Sequence, residues 1–249
     1  MESDKIIVVR ETVGDQTEVV IIDVANPKDL LRCPISADSA LMNPSKKLIA
    51  LKCESPVRAP SHPAPALSAT TLLQIFDLES KATLKTHQME EDIIFWKWIN
   101  ADTIGIVTDT SVFHWALGGE RLRARPTHAR PSGTSPPAKM FERDPTLAGT
   151  KIVNYRSDAD GKFLLLLGIA AKVCAATWQL TAQRIVQERR VVGAMQLYST
   201  ERKVSQPIEG HAACFTQYKM EGNPHASNLL CYSVCDPELG VGSYAPITQ

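Results

Sequence analysis

The chain has 249 residues, in which 27 Lys and Arg are balanced by 27 Asp and Glu, so its formal net charge is zero. Without net charge no overall field attracts nucleic acid or an anionic membrane surface, and composition argues against a general polyanion binder. Six cysteines are scattered along the chain, and no leading charged-then-apolar segment indicates a secretory signal, so we interpret them as cytosolic thiols. The length accommodates one large β domain or two smaller ones.

Short runs of β-branched and aromatic residues recur between turn residues, and almost no segment has helical periodicity. The predicted strands lie, in chain order, at residues 6–11, 19–23, 48–52, 72–78, 93–99, 103–108, 112–117, 152–156, 162–169, 191–198, 215–220 and 229–234. The most apolar run, at residues 163–171, is shorter than the roughly 20 apolar residues that span a bilayer. It is therefore interpreted as a buried strand.

Many short strands favour an all-β sandwich, barrel or propeller, and the pattern alone does not choose among them. Aromatic residues recur from strand to strand, at Phe95, Trp96 and Trp98 and again at Phe113 and Trp115. Such recurrence is typical of propeller blades, and ordinary core packing explains it about as well.

Three segments break the strand pattern. Residues 53–69 and 118–138 together hold eight of the sixteen prolines. Proline lacks the amide hydrogen that a sheet ladder needs, so both segments are predicted to be loops or disordered. Residues 170–188 are richer in Ala and Gln, which predicts a weak helix.

The sequence contains no nucleophile elbow, Gly-rich phosphate loop, HExxH motif or paired-carboxylate pattern. Cys231 and Cys235 lack a second cysteine pair or a nearby His pair, so no zinc site is expected there. The DADGK segment at residues 158–162 lacks the later ligands of a calcium loop and is predicted to be a hairpin turn. Histidines near strands are expected to be packed or solvated. We therefore expect no catalytic residues, no metal and no cofactor.

One long segment, RRVVGAMQLYSTERKVSQPIEGHAA at residues 189–213, has the alternation and the polar break of a β-hairpin. Together with MESDK at the start, RCPISADSALMNP at residues 32–44 and FWKWI at residues 95–99, it closely resembles the amino-terminal domain of the clathrin heavy chain. The resemblance implies an all-β fold, an incomplete seven-bladed β-propeller with roughly five blades present.

The resemblance covers residues 1–234 and leaves residues 235–249 as an unmatched tail. The family's domain begins before MESDK, so the expected arc of blades exposes strand edges and an apolar face at each end. Insertions at about 53–69, 118–138 and 170–188 stand where the family has short turns. Our hypothesis is that they are translated intron sequence or gene-model errors. Tolerated surface loops are the alternative, because long loops cost little closure entropy.

In this family a groove between the first two blades takes short extended adaptor peptides of the form leucine, bulky apolar, any residue, bulky apolar, acid. An apolar slot suits the alternate side chains of such a peptide, and a cation suits its acidic residue. The corresponding residues here are Ile21, Leu31, Ile49, Gln74, Phe76 and Lys81. Lys81 is the cation and Gln74 a polar contact. Ordinary strand core remains the other interpretation of Ile21, Ile49 and Phe76.

Three positions beside this groove differ from the family pattern. Cys33 stands where the family usually has Arg, Thr83 where it has a second Lys, and Leu72 where it has Thr. Loss of two cations from the rim is expected to weaken attraction for acidic peptides, with more effect on association rate than on affinity.

A second family site, between the fourth and fifth blades, takes an apolar loop of arrestin-type adaptors. Its counterparts here are Leu197, Arg202, Val204, Gln206 and Ile208, with Phe163 where the family has Trp. This site lies largely inside the segment that carries the resemblance, and it is almost unaltered.

The resemblance implies a structural, adaptor-binding part of the clathrin coat in vesicle-mediated transport and endocytosis, without enzymatic activity. Its location would be the cytosolic face of coated pits and vesicles, at the plasma membrane and the trans-Golgi, with membrane contact only through adaptors. The family's light-chain contact and its trimerisation region lie outside the matched segment. The alternatives are a WD-like propeller scaffold of another complex, an enzyme on a propeller, and a non-functional truncated gene product.

Overall fold

The structure is a computed structural model that describes residues 5–14, 16–28, 30–33, 37–55, 70–118, 135–173, 189–219, 221–222, 226–235 and 242–247. Its strands are β1 Ile6–Val13, β2 Gln16–Asp23, β3 Leu30–Cys33, β4 Ser39–Met42, β5 Leu48–Ser55, β6 Thr70–Asp77, β7 Ala82–Met89, β8 Ile93–Asn100, β9 Thr103–Thr108, β10 Ser111–Ala116, β11 Ala138–Glu142, β12 Lys151–Ser157, β13 Phe163–Val173, β14 Arg189–Ser199, β15 Val204–Glu209, β16 Ala212–Tyr218, β17 Ser227–Cys235 and β18 Gly242–Ile247. A 3₁₀ turn, Pro145–Leu147, precedes β12. All the predicted strands are confirmed, with ends that differ by a few residues.

The strands form five antiparallel sheets, each of which follows chain order. The first sheet is β1 to β3, the second β4 to β7, the third β8 to β11, the fourth β12 to β15 and the fifth β16 to β18. Small up-and-down sheets repeated along a chain are the building units of β-propellers. The expected all-β, propeller-like class is therefore confirmed.

The chain divides into two compact units, Met1–Met140 and Phe141–Gln249. The first three sheets belong to the first unit, although β11 runs across the boundary, and the fourth and fifth sheets belong to the second. Within the described part of the chain, no helix is long and apolar enough to cross a membrane.

In the first unit, the second sheet is apolar on both faces. Along β5, Leu48 and Ala50 pack in one cluster with residues of the third sheet, whereas Ile49 and Leu51 pack in another cluster with residues of the first. Successive strand residues point to opposite faces, so a sheet covered on both sides needs an uninterrupted apolar run. This is why residues 48–51 read LIAL.

Of the aromatic residues that recur in the sequence, the tryptophans and Phe113 belong to one cluster of the first unit. Trp96, Trp98 and Trp115 pack together there with aliphatic residues of the second and third sheets. The indole Nε1 of Trp96 donates to Ser39 Oγ at 3.2 Å, and that of Trp98 donates to Leu41 O at 3.2 Å. The indoles of Trp96 and Trp98 thus each have a partner on β4, so these two rings fix the second and third sheets against each other.

In the second unit, the fourth and fifth sheets share a layer that contains Leu165, Leu167, Met195, Leu197 and Leu230. The other face of the fourth sheet holds Tyr155 and Tyr198, which are buried beside Phe141. The Phe141 and Tyr198 rings stack with centroids 4.6 Å apart.

The DADGK segment at residues 158–162 joins β12 to β13, and the predicted hairpin turn is confirmed. Asp158 N donates to Phe163 O at 3.0 Å, and Phe163 N donates to Asp158 Oδ1 at 3.0 Å. Gly161 closes the turn with a φ of 71°, in the left-handed region that glycine adopts at little cost.

The predicted irregular segments lie mostly outside the described residues, namely at 56–69, 119–134 and 174–188. Residues 53–55 belong to β5, and residues 170–173 belong to β13, so the helix predicted for 170–188 is wrong at its start. The chain leaves and rejoins its sheet at register partners, Ser55 with Thr70 and Val173 with Arg189. Neighbouring ends of this kind are compatible with long hairpin insertions. Of the tail, residues 242–247 form β18 beside β17.

Burial of His114 on β10 predicts a pH-dependent stability. Desolvation lowers the pKa of its imidazole from 6.5 to about 4. The unfolded chain then binds the proton as pH falls through 6.5 while the folded chain does not, so stability is lost between pH 6.5 and 4. We expect urea unfolding to show a loss on the order of 1–3 kcal/mol across this window. His114→Gln should lose less free energy of unfolding across this pH window than the unsubstituted protein. Equal losses would show that His114 is not the group responsible.

Gln196 holds the segment before β12 to the fourth sheet. Its Nε2 donates to Glu142 O and Ser205 Oγ, and its Oε1 accepts from Asp144 N, all within 2.8–2.9 Å. Gln196 is buried, so Gln196→Leu should remove all three hydrogen bonds from this site and lower the free energy of unfolding by about 1–3 kcal/mol. The exposed Gln217→Leu is the control, and comparable losses in chemical denaturation of both variants would refute this role.

Candidate peptide-binding surfaces

The apolar residues of the first predicted surface lie in one layer of the first unit. Ile21 on β2 is the register partner of Leu31 on β3, and Ile49 on β5 is the register partner of Phe76 on β6. Register partners point to the same face of a sheet. Ile21, Ile49 and Phe76 belong to the layer between the first and second sheets, and Leu31 continues that face on β3. The structure therefore brings the four predicted residues together.

Exposure in this layer rises toward the outer strands. Ile49 is 0% and Ile21 is 6% exposed, whereas Leu31 on β3 is 41% exposed. Phe76 is half-buried, and its register partner on β7, Thr83, is exposed. The layer is thus closed core on one side and an open apolar slot on the other, where β3 and β7 form its rim. Ile21 and Ile49 are core and Phe76 packs half-buried against them, whereas Leu31 is accessible. Peptide binding by these residues stays a prediction.

The polar members lie at the β6 end of the slot. Gln74 is half-buried and precedes Phe76 by two positions on the same strand. Lys81 is exposed and lies in the turn between β6 and β7, with a φ of 53°. Asp77 fixes this turn, because its carboxylate accepts from Glu79 N at 2.9 Å and from Ser80 Oγ at 2.8 Å. These hydrogen bonds lower the pKa of Asp77, and the one from Glu79 N has the largest effect.

The three departures from the family pattern have different surroundings. Thr83 faces the slot as the partner of Phe76. Leu72 is half-buried on β6, two positions before Gln74, and it pairs with Cys53. Cys33 pairs with Val19 through the backbone. Thr83 is the departure that alters the rim itself, since a longer cationic side chain there would lie beside Phe76.

The second predicted surface occupies one face of the fourth sheet. Across its strands, Leu165 pairs with Leu197 and Leu197 pairs with Gln206. Neighbouring rows of the same face hold the remaining members, in the pairs Phe163 with Ser199, Ser199 with Val204, and Met195 with Ile208. Five of the six predicted residues thus share one face, and Arg202 lies in the turn between β14 and β15, where its N–H donates to Ser199 Oγ at 3.3 Å.

This surface also opens toward its outer strand. Leu197 on β14 is 9% exposed, whereas Val204 on β15 is 59% exposed and Gln206 is exposed too. Ile208 is half-buried at the other end of β15. The layer is closed over β13 and β14 and accessible along β15, which is the arrangement seen at the first surface.

The opposite wall of the second surface comes from the fifth sheet. Ala213, Phe215 and Tyr232 pack against the layer that contains Leu197. The sequence analysis did not include them, although alternation in the AACFTQY run of β16 places Ala213 and Phe215 on one face. Their pairing with β17, Ala213 with Tyr232 and Phe215 with Leu230, could not be read from the sequence.

No metal centre is visible in the described ranges, where no three His, Cys, Asp or Glu side chains are grouped so that they could hold an ion. Asp158, the one buried acid of the DADGK turn, is engaged by Phe163 N and by Asn228 Nδ2 at 3.2 Å. What the two surfaces offer is apolar contact and hydrogen bonding.

The structure defines an all-β protein of the propeller-like class, with an apolar slot between neighbouring sheets in each unit. The chain is 49% identical over 234 residues to the probable clathrin heavy chain 1 of Caenorhabditis elegans. The matched segment covers 94% of this chain and 11% of the relative. It is 45% identical over 240 residues to human clathrin heavy chain 2, with 96% of this chain and 12% of the relative covered. Clathrin heavy chain of Drosophila melanogaster is 44% identical over 234 residues, with 94% of this chain and 11% of the relative covered.

These comparisons confirm the resemblance seen in the sequence: the chain is a homologue of clathrin heavy chains over nearly all of its own length. It spans about one ninth of the length of the relatives that it matches. No protein-family model matches the chain.

Proposed function

We propose that this chain is a structural part of a clathrin coat in vesicle-mediated transport and endocytosis, and that it binds short adaptor peptides between neighbouring sheets. The observation that carries the coat role is its similarity to clathrin heavy chains, at 44–49% identity to the three relatives described, over 94–96% of the chain. Similarity of this extent leaves little of the chain to serve a different purpose, which disfavours the WD-like scaffold of another complex.

The shape of the first slot supports the binding of an extended peptide. An extended chain points alternate side chains to the same side at roughly 6–7 Å intervals, so it can insert every second apolar residue between two sheets. Leu31 and Phe76 form the accessible apolar sides of the slot. Lys81 is exposed at the end of the slot, where its ammonium can pair with the acidic residue of the peptide class that the resemblance implies.

The second slot supports binding of a bulkier apolar segment. Its accessible residues are Val204 and Gln206 on the outer strand β15, and its half-buried residues are Ile208 on the same strand and Phe163 on β13. Arg202 lies in the exposed turn at the same end of the sheet as Val204. An apolar loop of an arrestin-type adaptor would add to the existing layer between the fourth and fifth sheets.

The proposed setting is the cytosolic face of coated pits and coated vesicles at the plasma membrane and the trans-Golgi. Adaptor proteins are the proposed partners, and they would supply the contact with membrane; light-chain binding and trimerisation are proposed only for a whole heavy chain. The work proposed is binding, with no catalysed reaction. A chain of zero net charge fits recognition by local apolar contact better than by long-range attraction.

The first slot is tested by titrating a labelled peptide of the form leucine, apolar, any, apolar, acid against the protein, with fluorescence anisotropy as the readout. Leu31→Ser removes an exposed apolar contact and should weaken binding about tenfold. Lys81→Asn removes the cation in a residue type that tolerates positive φ, and it should weaken binding about two- to fivefold.

The control for this titration is Lys219→Glu, an exposed lysine that follows β16 in the second unit, which should leave the affinity unchanged. Leu31 is already 41% exposed, so circular dichroism should show an intact fold for Leu31→Ser. Binding that survives both slot substitutions would show that the peptide uses a different surface. Absence of binding in the unsubstituted protein would refute the peptide-binding proposal.

The second slot is tested by Val204→Asp, which places a charge on the accessible outer strand. We expect affinity for an apolar loop peptide of the arrestin type to fall at least about tenfold, because a carboxylate would have to be desolvated on binding. Isothermal titration calorimetry measures the loss.

Val191→Asp is the matched control for Val204→Asp. Val191 is 58% exposed, against 59% for Val204, and it lies eight residues before Ser199, the partner of Val204. At the rise of a strand this separates the two sites by roughly 26 Å. Equal effects of the two substitutions would argue against a binding site at β15.

A further inference from the structure

Two thiols stand directly opposite each other in the fifth sheet. Cys214 on β16 and Cys231 on β17 are register partners, and both are free cysteines. Opposed residues of an antiparallel pair have Cα atoms about 4.5 or 5.5 Å apart, depending on whether they exchange hydrogen bonds. Disulfides span Cα separations of about 4.4–6.8 Å. Either kind of pair therefore meets the requirement.

Both thiols point away from the apolar layer. Their sequence neighbours Ala213, Phe215 and Tyr232 pack in the layer between the fourth and fifth sheets. Since side chains alternate along a strand, Cys214 and Cys231 lie on the opposite face of the fifth sheet. Cys214 is exposed and Cys231 is half-buried, so a small oxidant can reach them without opening the layer.

Cys53 provides a contrast within the same chain. Its register partner on β6 is Leu72, so no thiol stands opposite. It is half-buried, and burial, with a smaller contribution from the charge of Asp38, raises the pKa of its thiol. A raised pKa lowers the fraction of reactive thiolate. Cys53 is thus a thiol of this fold that lacks both the geometry and the environment for cross-linking.

We propose that Cys214 and Cys231 are an oxidation site, which peroxide converts to a reversible disulfide across β16 and β17. The proposal goes beyond adaptor binding, since it concerns the face of the fifth sheet turned away from the second slot and requires no peptide. Disulfides of this kind in reducing compartments are transient and redox-sensing rather than structural.

The chemistry proceeds in two balanced steps. The Cys214 thiol loses its proton and its thiolate attacks hydrogen peroxide; the O–O bond breaks, the departing hydroxide takes up that proton, and a sulfenic acid and one water are formed. The Cys231 thiol then loses its proton and its thiolate attacks the sulfenic sulfur; the S–O bond breaks, the departing hydroxide takes up this second proton, and the disulfide and a second water are formed. In sum, two thiols are oxidised by two electrons and one peroxide is reduced to two waters. A small-molecule dithiol reverses the reaction by exchange.

The cross-link requires little rearrangement. Opposed Cβ atoms in a sheet lie about 4.5–5.5 Å apart, and a disulfide holds them at about 3.5–4.5 Å, so the two strands must approach locally by about 1 Å. The bond closes the segment from Cys214 to Cys231, and restriction of the unfolded chain should raise the thermal midpoint of the oxidised protein.

The test exposes the full 249-residue chain to hydrogen peroxide, alkylates the remaining thiols and maps disulfides by peptide mass spectrometry. We expect a Cys214 to Cys231 link as the main product, with the mass of two hydrogens lost, and its disappearance on treatment with dithiothreitol. Thermal unfolding monitored by circular dichroism should show a higher midpoint for the oxidised protein.

Matched variants test whether the disulfide depends on direct cross-strand pairing of the two cysteines or only on their being near each other. Cys53→Ser should leave the link intact, whereas Cys214→Ser and Cys231→Ser should each abolish it. In a Cys214→Ser, Thr216→Cys double variant the new thiol stays on the same face but is opposite Leu229. Diagonal neighbours in a sheet are about 7–8 Å apart, so its link to Cys231 should fall to background.

Three outcomes would overturn the proposal. One is oxidation of Cys214 and Cys231 to separate sulfinic acids without a link between them. Another is linkage of either residue to a third cysteine, or between two chains, in comparable yield. The last is a link in the Thr216→Cys double variant as abundant as in the unsubstituted protein. A variant that fails to fold is replaced by its alanine counterpart, Cys214→Ala or Cys231→Ala.

Discussion

The apolar layers between neighbouring sheets are the constraint on which the other features of this chain depend. A sheet of this size cannot hide its own apolar side chains, so it must be covered by another sheet. In β5, alternate residues serve two layers, Leu48 on one side and Ile49 on the other. A slip of one residue would exchange the two faces, so the layers also fix the register. A buried lysine, Lys85 on β7, also helps to hold the layer together. Its ammonium donates to Ala116 O at 2.7 Å and lies 5.9 Å from the Trp115 ring centroid.

The candidate binding surfaces are the parts of these layers that the outer strands leave uncovered. At the first surface the cover ends at Leu31 and Phe76, and at the second it ends at Val204. The inner residues Ile49 and Leu197 are core, so their loss would destabilise the fold as well as the slot. The rim residues add accessible apolar area without carrying the core. Recognition and stability can therefore be separated by substitution at the rim, although they share one apolar layer.

Sequence patterning predicted the strands that are rich in β-branched and aromatic residues, because those are the strands buried on one or both faces. It missed the short strands β3, β4 and β11, the strand β18 in the tail, and β7, most of whose polar residues face solvent on an outer strand. It expected helix at 170–173, but these residues pair with β14, where Ala170 is opposite Val192. Sheet pairing there outweighs the helix propensity of alanine. The site residues came from resemblance, and their grouping on single faces required the register that only the structure gives.

The two surfaces differ in local charge although their apolar construction is the same. Residues 77–83 carry Asp77 and Glu79 against Lys81, one net negative charge, whereas residues 199–204 carry Arg202 and Lys203 against Glu201, one net positive charge. Asp77 is held ionised by its hydrogen bonds, so its charge persists beside Lys81. Thr83 adds no cation to offset it. Since exposed rim charges act mainly on association, an acidic segment would approach the second surface more favourably. In the proposed complex at the first surface, affinity would come chiefly from the apolar contacts of Leu31 and Phe76.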